Sequence, residues 1–384
     1  MLYTKEFVLL LCHQLAFAFS FSTFFLLPKF LAASLHAAPT AIGIVTAMFG
    51  LSAIVAMPLL GLGIDRIDRR VFLRAGSVLM ALTAFGFLLV DRVGPLAAIL
   101  RGLQGVAWFT AFTAGLALTS DMAPAPRMAE ALGIFGVSSI LMNAVAPAVA
   151  EPLADRVGYG VVFALAGSMA VVATGLSLRV VEPSGAQDAR GAVRAPFFSV
   201  LLRPVTWMMA PIIGISGAAF GVMFSFSQPF ALDSGIHHVS GFFVAYTVGA
   251  LCVRVGLARV VDRAGRHRVG VAALALYGAS LVGMQSLTPF RLVLFGGLFG
   301  FAHGLFFPAF NAMVLETTRS HERGTAMTLS NGFFTVGTAC VFGLGFAVER
   351  IGYVAVFRCT AVATMVGAAL LMAWPRVVGV VGRR

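Results

Sequence analysis

The sequence predicts an all-α integral membrane protein with twelve transmembrane helices in two six-helix halves. Three observations lead there. The 384 residues are 59% hydrophobic and only 11% charged, with mean hydropathy +0.96, whereas soluble domains carry about 25% charged residues. Lys and Arg concentrate in short connections, and mostly in alternate ones. Finally, a cationic stretch, Gly61–Arg74, returns about half a chain length later as Asp262–Arg268. A bilayer-crossing helix needs roughly 20 apolar residues, and this length holds a dozen.

The first apolar run lies near 7–34. Lys5 precedes it and Ala32-Ala33-Ser34 closes it, in the manner of a signal peptide. It is longer than the apolar region of such a peptide, so an uncleaved first span is expected. The second, near 40–64, carries no charge from Thr40 to Ile64. Spans three to six follow near 71–90, 95–119, 127–151 and 158–181. Glu182–Arg203 (EPSGAQDARGAVRAPFFSVLLR) is the longest polar stretch, rich in small and charged residues. It reads as a cytoplasmic linker, 182–203, between an N-terminal half, 1–181, and a C-terminal half, 204–384. The second half repeats the plan near 204–232, 238–260, 268–287, 290–316, 322–348 and 352–375.

The duplication has a second witness. Ala154-Asp155-Arg156-Val157-Gly158-Tyr159, ending at Phe163, parallels Val348-Glu349-Arg350-Ile351-Gly352-Tyr353, ending at Phe357. Its offset nearly equals that between Asp65 and Asp262. Two matches at nearly one offset imply parallel repeats related by an axis along the membrane normal.

Charge sets the orientation. Of the 27 Lys and Arg, nineteen lie in one alternate set of connections, including both termini. Lys29, Arg92, Arg156, Arg291 and Arg350 make up the other set, and Arg101, Arg254 and Arg358 fall inside spans. The rich side is expected in the cytoplasm with both termini. A net charge of +12 spread through loops, with no basic helix face or soluble module, argues against a nucleic-acid partner. Cys12, Cys252, Cys340 and Cys359 sit in apolar runs without CxxC spacing and are expected to be small buried hydrophobes, not metal ligands or disulfides.

The cationic loop carries a resemblance. Gly61, Asp65, Arg66, Arg69 and Arg70 match the pattern G-x-x-x-D-R-x-G-R-R of the major facilitator superfamily, with Asp68 where that pattern has glycine. In the fourth span, Arg101-Gly102-Leu103-Gln104-Gly105 resembles the same family's R-x-x-Q-G. The resemblance covers nearly the whole chain and implies a secondary transporter working by alternating access about a midplane site. It makes the two loops latches, in which Asp65, Arg66, Arg69, Arg70, Asp262, Arg263 and Arg266 bridge helix ends in one access state. Asp121 and Glu316, at the cytoplasmic ends of spans four and ten, are candidate partners, and Arg254 is expected to pair with Glu316. The alternative is that the arginines only fix topology. Asp68 replaces a residue that lets the turn close tightly.

A guanidinium inside an apolar helix is expensive and faces a cavity or a partner. In proton-coupled relatives the arginine of R-x-x-Q-G helps set the protonation of a nearby acid. Glu151, at a similar depth, is the candidate acid for Arg101, either as a proton switch or as a fixed ion pair. Exporters of the family often show G-P-x-x-G-G in the fifth span, but in Ala146-Pro147-Ala148-Val149-Ala150-Glu151 only the proline matches. By resemblance, spans one, four, seven and ten line the cavity. Their polar and aromatic residues are His13, Gln14, Phe17, Gln104, Trp108, Gln228, His303, Phe307 and Asn311. Each is open to helix–helix hydrogen bonding or substrate contact, and His303 also to proton coupling, because imidazole titrates near neutral pH. Gly296, Gly300 and Gly304 form a small-residue stripe that lets two helices approach closely. Arg358, near Glu349, is expected to be structural.

Neither lysine, Lys5 nor Lys29, ends a GxxxxGK[ST] loop, and no HExxH or GxSxG occurs, so neither ATP-driven transport nor a familiar hydrolase is indicated. The expected protein is a transporter, not an enzyme. It needs no cofactor or metal, and its partners are a small-molecule substrate, protons and the lipid bilayer of a bacterial inner membrane, with the protein acting as a monomer. Export of a small, partly apolar molecule is expected, because the cavity spans are aromatic and sparing in charge. Uptake of a small organic anion, with Arg101 as counter-charge, is the alternative. A polytopic membrane enzyme or a channel lacks support in the motifs.

Overall fold

The computed structural model describes residues 2–64, 68–181, 197–256, 264–319 and 322–381. Among them no strand occurs, and nine helices are long and apolar enough to cross a membrane. The chain divides into two compact units, Met1–Ala37 with Ile44–Ala192, and Ala38–Gly43 with Val193–Arg384.

In the first unit, α1 (Lys5–Thr23) is capped by the Thr4 hydroxyl, which accepts from the Phe7 N–H at 3.2 Å. A 3₁₀ turn at Phe24–Leu26 breaks the first predicted span, and α2 (Leu27–Ala33) resumes with Pro28 in its first turn. Pro has no N–H to continue the helix inward, so its fixed φ suits a helix start. The other helices are α3 (Pro39–Ile64), α4 (Arg69–Gly86), α5 (Pro95–Met122), α6 (Met128–Val157) and α7 (Tyr159–Ser177). Their core is built from small residues around aromatic ones: Ala16, Phe17, Phe21, Ala107, Ala111 and Ala170 pack together. Small side chains let apolar helices approach closely where lipid offers no hydrophobic drive for association.

The second unit contains α8 (Phe197–Leu201), α9 (Pro204–Asp233), α10 (Ser240–Leu251), α11 (Arg266–Gly283), α12 (Pro289–Glu316), α13 (Arg323–Ala339) and α14 (Val341–Val381). A π-helical turn, Cys252–Gly256, extends α10. The glycine stripe of α12 faces α10: a Cβ on Gly300 would strike the Tyr246 backbone, and one on Gly304 would lie 2.9 Å from the Ala250 carbonyl oxygen.

Two glycines define the corresponding joints of the two units. Gly158, φ 88° and ψ 165°, is the single residue between α6 and α7. Gly352, φ 80° and ψ 163°, bends α14 at the matching place. Positive φ with extended ψ belongs almost wholly to glycine, so the repeated V-G-Y and I-G-Y signatures mark one backbone event made twice.

The cysteines correct the sequence reading. All four are exposed and free, as are many large apolar side chains of the same helices, among them Val8 on α1 and Val362 on α14. In lipid an apolar residue is equally at home outward, so an apolar run does not imply burial.

Candidate functional site

The loop charges come together with helix ends in each unit. Arg69, in the first turn of α4, donates to Asp121 at the end of α5 and to the Ala117 carbonyl at 3.4 Å. In the second unit Arg266 opens α11 and donates to Glu316, the last residue of α12. The first pair is mostly buried, at 12% and 15% side-chain exposure, and the second is open, at 42% and 57%. Arg70 turns back to Asp68, with Nε 2.9 Å from Oδ2. Gly61 lies within α3, while Asp65, Arg66, Asp262 and Arg263 fall outside the described residues. Arg254 does not pair with Glu316 as expected. It sits in the π-helical turn without an ion pair among the described residues, and Glu316 is engaged by Arg266.

Asp68 also behaves differently from the expectation for a missing glycine. Its φ of −53° needs no glycine, and its carboxylate caps α4 by accepting from the Arg70 N–H at 2.8 Å. The matching residue before Arg266 is Gly265, at φ 86°. Thus one loop turns through positive φ, and the other through a capped, ordinary backbone.

Glu151 has an unexpected partner. Lys29 Nζ, on α2, donates to Glu151 Oε1 at 2.7 Å and lies 3.5 Å from Asp155 Oδ1, one turn further along α6. Lys29 is 4% exposed and Glu151 1%. Burying two charges is penalised by several kcal/mol per ion, recovered only through close pairing, and removing one partner costs roughly 3–5 kcal/mol. The sequence signal was present: Lys29 is one of two lysines and lies inside the apolar run 7–34, where a cation demands an acid. The 3₁₀ break and Pro28 place α2, and with it Lys29, against α6.

Arg101 finds its partners on its own helix and on aromatic rings. Its Nη1 donates to Gln104 Oε1 at 2.9 Å, and its guanidinium lies 4.8 Å from the centre of the Phe49 ring and 5.8 Å from that of Phe21. Arg and Gln three apart share one helix face, and aromatic faces attract a cation. The motif's glycine has a separate task, since a Cβ on Gly105 would strike the Phe49 carbonyl and the Ser52 hydroxyl.

His13 and Gln14 tie α1 to its neighbours. His13 Nε2 lies 2.8 Å from Ser77 Oγ on α4, and Gln14 Nε2 donates to Ser139 Oγ on α6 at 2.7 Å. Ser77 Oγ also lies 2.8 Å from the Leu73 carbonyl of its own helix, so this one hydroxyl joins His13 to the backbone of α4. Phe17 stacks on His13 at 5.8 Å and on Trp108 at 5.6 Å, and Trp108 stacks on Phe21 at 4.0 Å. The result is an aromatic column with Arg101 at one end.

In the second unit His303 Nδ1 lies 2.7 Å from the Tyr277 hydroxyl. Rings of Phe307, Phe220, Tyr246 and Phe334 surround it at 4.7 to 6.2 Å. Gln228 Nε2 donates to the Phe224 carbonyl of its own helix at 3.0 Å, and Asn311 Oδ1 has no hydrogen-bond partner among the described residues. Arg358 donates to Gln285 Oε1 at 2.8 Å, not to Glu349, whose carboxylate accepts from the Thr40 N–H. No cluster with metal-binding composition occurs among the described residues.

Comparison with known proteins decides the family. The model of the Major Facilitator Superfamily matches residues 9–284 and 232–380. The chain belongs to that superfamily. The multi-drug resistance efflux pump PmrA of Streptococcus pneumoniae is 23% identical over 336 residues, 83% of this chain and 82% of that one. The 3-(3-hydroxy-phenyl)propionate transporter of Escherichia coli is 29% identical over 149 residues, 38% of this chain and 36% of that one. The crystal structure of a mutant of the nucleoside transporter NupG superposes with a TM-score of 0.84 at 14% identity, covering 96% of this chain and 99% of that one, which shows the shared fold. This superfamily member is therefore a multi-pass membrane transporter, not an enzyme.

Proposed function

We propose that this superfamily member is a proton-coupled exporter of small, partly apolar organic molecules in a bacterial inner membrane. It acts as a monomer by alternating access, with twelve spans, cytoplasmic termini, and halves 1–181 and 204–384 joined by 182–203. The observation that carries the coupling is Glu151, a carboxylate 1% exposed inside α6. An ionisable group kept at such expense in a membrane helix marks a proton or substrate path. The efflux pump PmrA, aligned over 83% of the chain, supports the outward direction. The loop arginines Arg69 and Arg266, joined to Asp121 and Glu316, serve as latches, and the aromatic columns around Trp108 and His303 as substrate-facing surfaces.

The test is reconstitution in liposomes containing a pH-sensitive dye, with substrate gradients from a mixed panel. Substrate moving out of the proton-receiving compartment should drive protons the opposite way, and Glu151→Gln should abolish that movement. Transport of a substrate with no proton movement would overturn the coupling. Proton movement in the same direction as an anionic substrate would instead establish a second reading, organic-anion uptake. Two observations favour it: Arg101 has no carboxylate partner among the described residues, and the hydroxyphenylpropionate transporter is a relative.

A further inference from the structure

We propose that Lys29 is a proton-operated switch that exchanges between Glu151 and Asp155. The inference rests on the proton-coupled reading above and names the device that would perform it. Glu151 and Asp155 are four residues apart on α6, hence on one face, and Lys29 Nζ lies between them at 2.7 Å and 3.5 Å. The two acids differ sharply in access. The Glu151 side chain is 2% exposed and that of Asp155 41%, so the ammonium has a dry partner and a wet one within the swing of a single side chain. A further titratable group at the cluster is Tyr159, on α7. It lies within electrostatic reach of both acids, packs on Phe30 at 4.9 Å, and its hydroxyl has no hydrogen-bond partner among the described residues.

The charges define the step. With Glu151 ionised, one ammonium faces two carboxylates and holds the buried one, because leaving a buried charge unpaired is the more expensive choice. When Glu151 takes a proton from water, its neutral carboxyl no longer needs the ammonium, and Lys29 moves to Asp155. Loss of that proton reverses the exchange. One proton is bound and released per cycle, and no charge is left unpaired in the dry part of the site. A fixed structural pair would hold Lys29 at residue 151 whatever its protonation.

Two measurements decide it without depending on transport. The first is an experimental structure of Glu151→Gln, in which Gln stands in for the protonated acid. Lys29 Nζ should move to hydrogen-bond distance from Asp155, and a Lys29 that stays on residue 151 overturns the switch. The second is infrared titration of the protonated carboxyl band of Glu151, identified by its absence in Glu151→Gln. Asp155→Asn should lower the proton affinity of Glu151 about tenfold while Lys29 is present, one unit in the midpoint, and by clearly less in Lys29→Met. An equal or larger effect in Lys29→Met would mean simple like-charge repulsion and would overturn the switch. If the wild-type liposomes move no protons with substrate, the coupling reading fails alone, since the infrared titration still reports on the exchange.

Discussion

The crossing of α10 and α12 offers a prediction in which the competing effects cancel. Gly297 and Gly300 both lie inside α12, so replacing either by Ala gains the same helix propensity, up to about 1 kcal/mol. Their surroundings differ. A Cβ on Gly297 would find its nearest neighbour, Ala245, at 3.6 Å, an ordinary contact. On Gly300 it would lie 2.6 Å and 2.7 Å from the Tyr246 carbonyl carbon and Cα, with the carbonyl oxygen closer still. Those atoms are backbone and cannot swing aside, so α10 itself has to shift. Overpacking of this kind costs typically 1–3 kcal/mol, and with propensity cancelled the two variants should differ by about that amount. The assay is thermal or denaturant unfolding of both purified variants in one detergent. Gly297→Ala should match or exceed the wild type, and Gly300→Ala should melt clearly lower. Equal stabilities would refute the close backbone approach at Tyr246.

Two further outcomes are expected from the cationic loops. Asp121→Asn should destabilise the protein more than Glu316→Gln, because Arg69 and Asp121 are largely buried whereas Arg266 and Glu316 are open, and exposed pairs contribute about 0–1 kcal/mol. Unfolding midpoints at low and high salt check this, and equal losses would contradict the assigned environments. Asp68→Ala should lose about 1 kcal/mol of helix capping and Asp68→Gly only a few tenths, while Gly265→Ala should lose roughly 1–2 kcal/mol to its left-handed backbone. A neutral Gly265→Ala in the same unfolding assay would disprove the positive φ.

Much of this molecule could be read from its sequence because lipid imposes simple rules. Apolar length placed α3, α5, α9 and α12 near their observed limits, and the V-G-Y and I-G-Y repeats announced the joints at Gly158 and Gly352. Rotation about the helix axes was not readable. A helix apolar on every side has no face that tells core from lipid, which is why the cysteines were misplaced and Arg101 was matched to Glu151 by depth alone. The true partner, Lys29, depends on a 3₁₀ break between α1 and α2, where an error of a few residues turns a side chain to another neighbour. At Asp68 the family pattern describes one way to turn a loop, and the capped ordinary backbone found there is another.

The single-residue joint at Gly158 has a mechanical consequence. A loop of several residues absorbs a tilt of one helix before its neighbour responds, but one residue offers only a single pair of backbone torsions. With α6 ending at Val157 and α7 beginning at Tyr159, the two helices behave as arms of one lever with almost no play. Glu151 and Asp155 ride on the last two turns of the first arm, beside that fulcrum. A small displacement at the lysine's two carboxylates is therefore delivered directly to α7, where a longer connection would have let it dissipate.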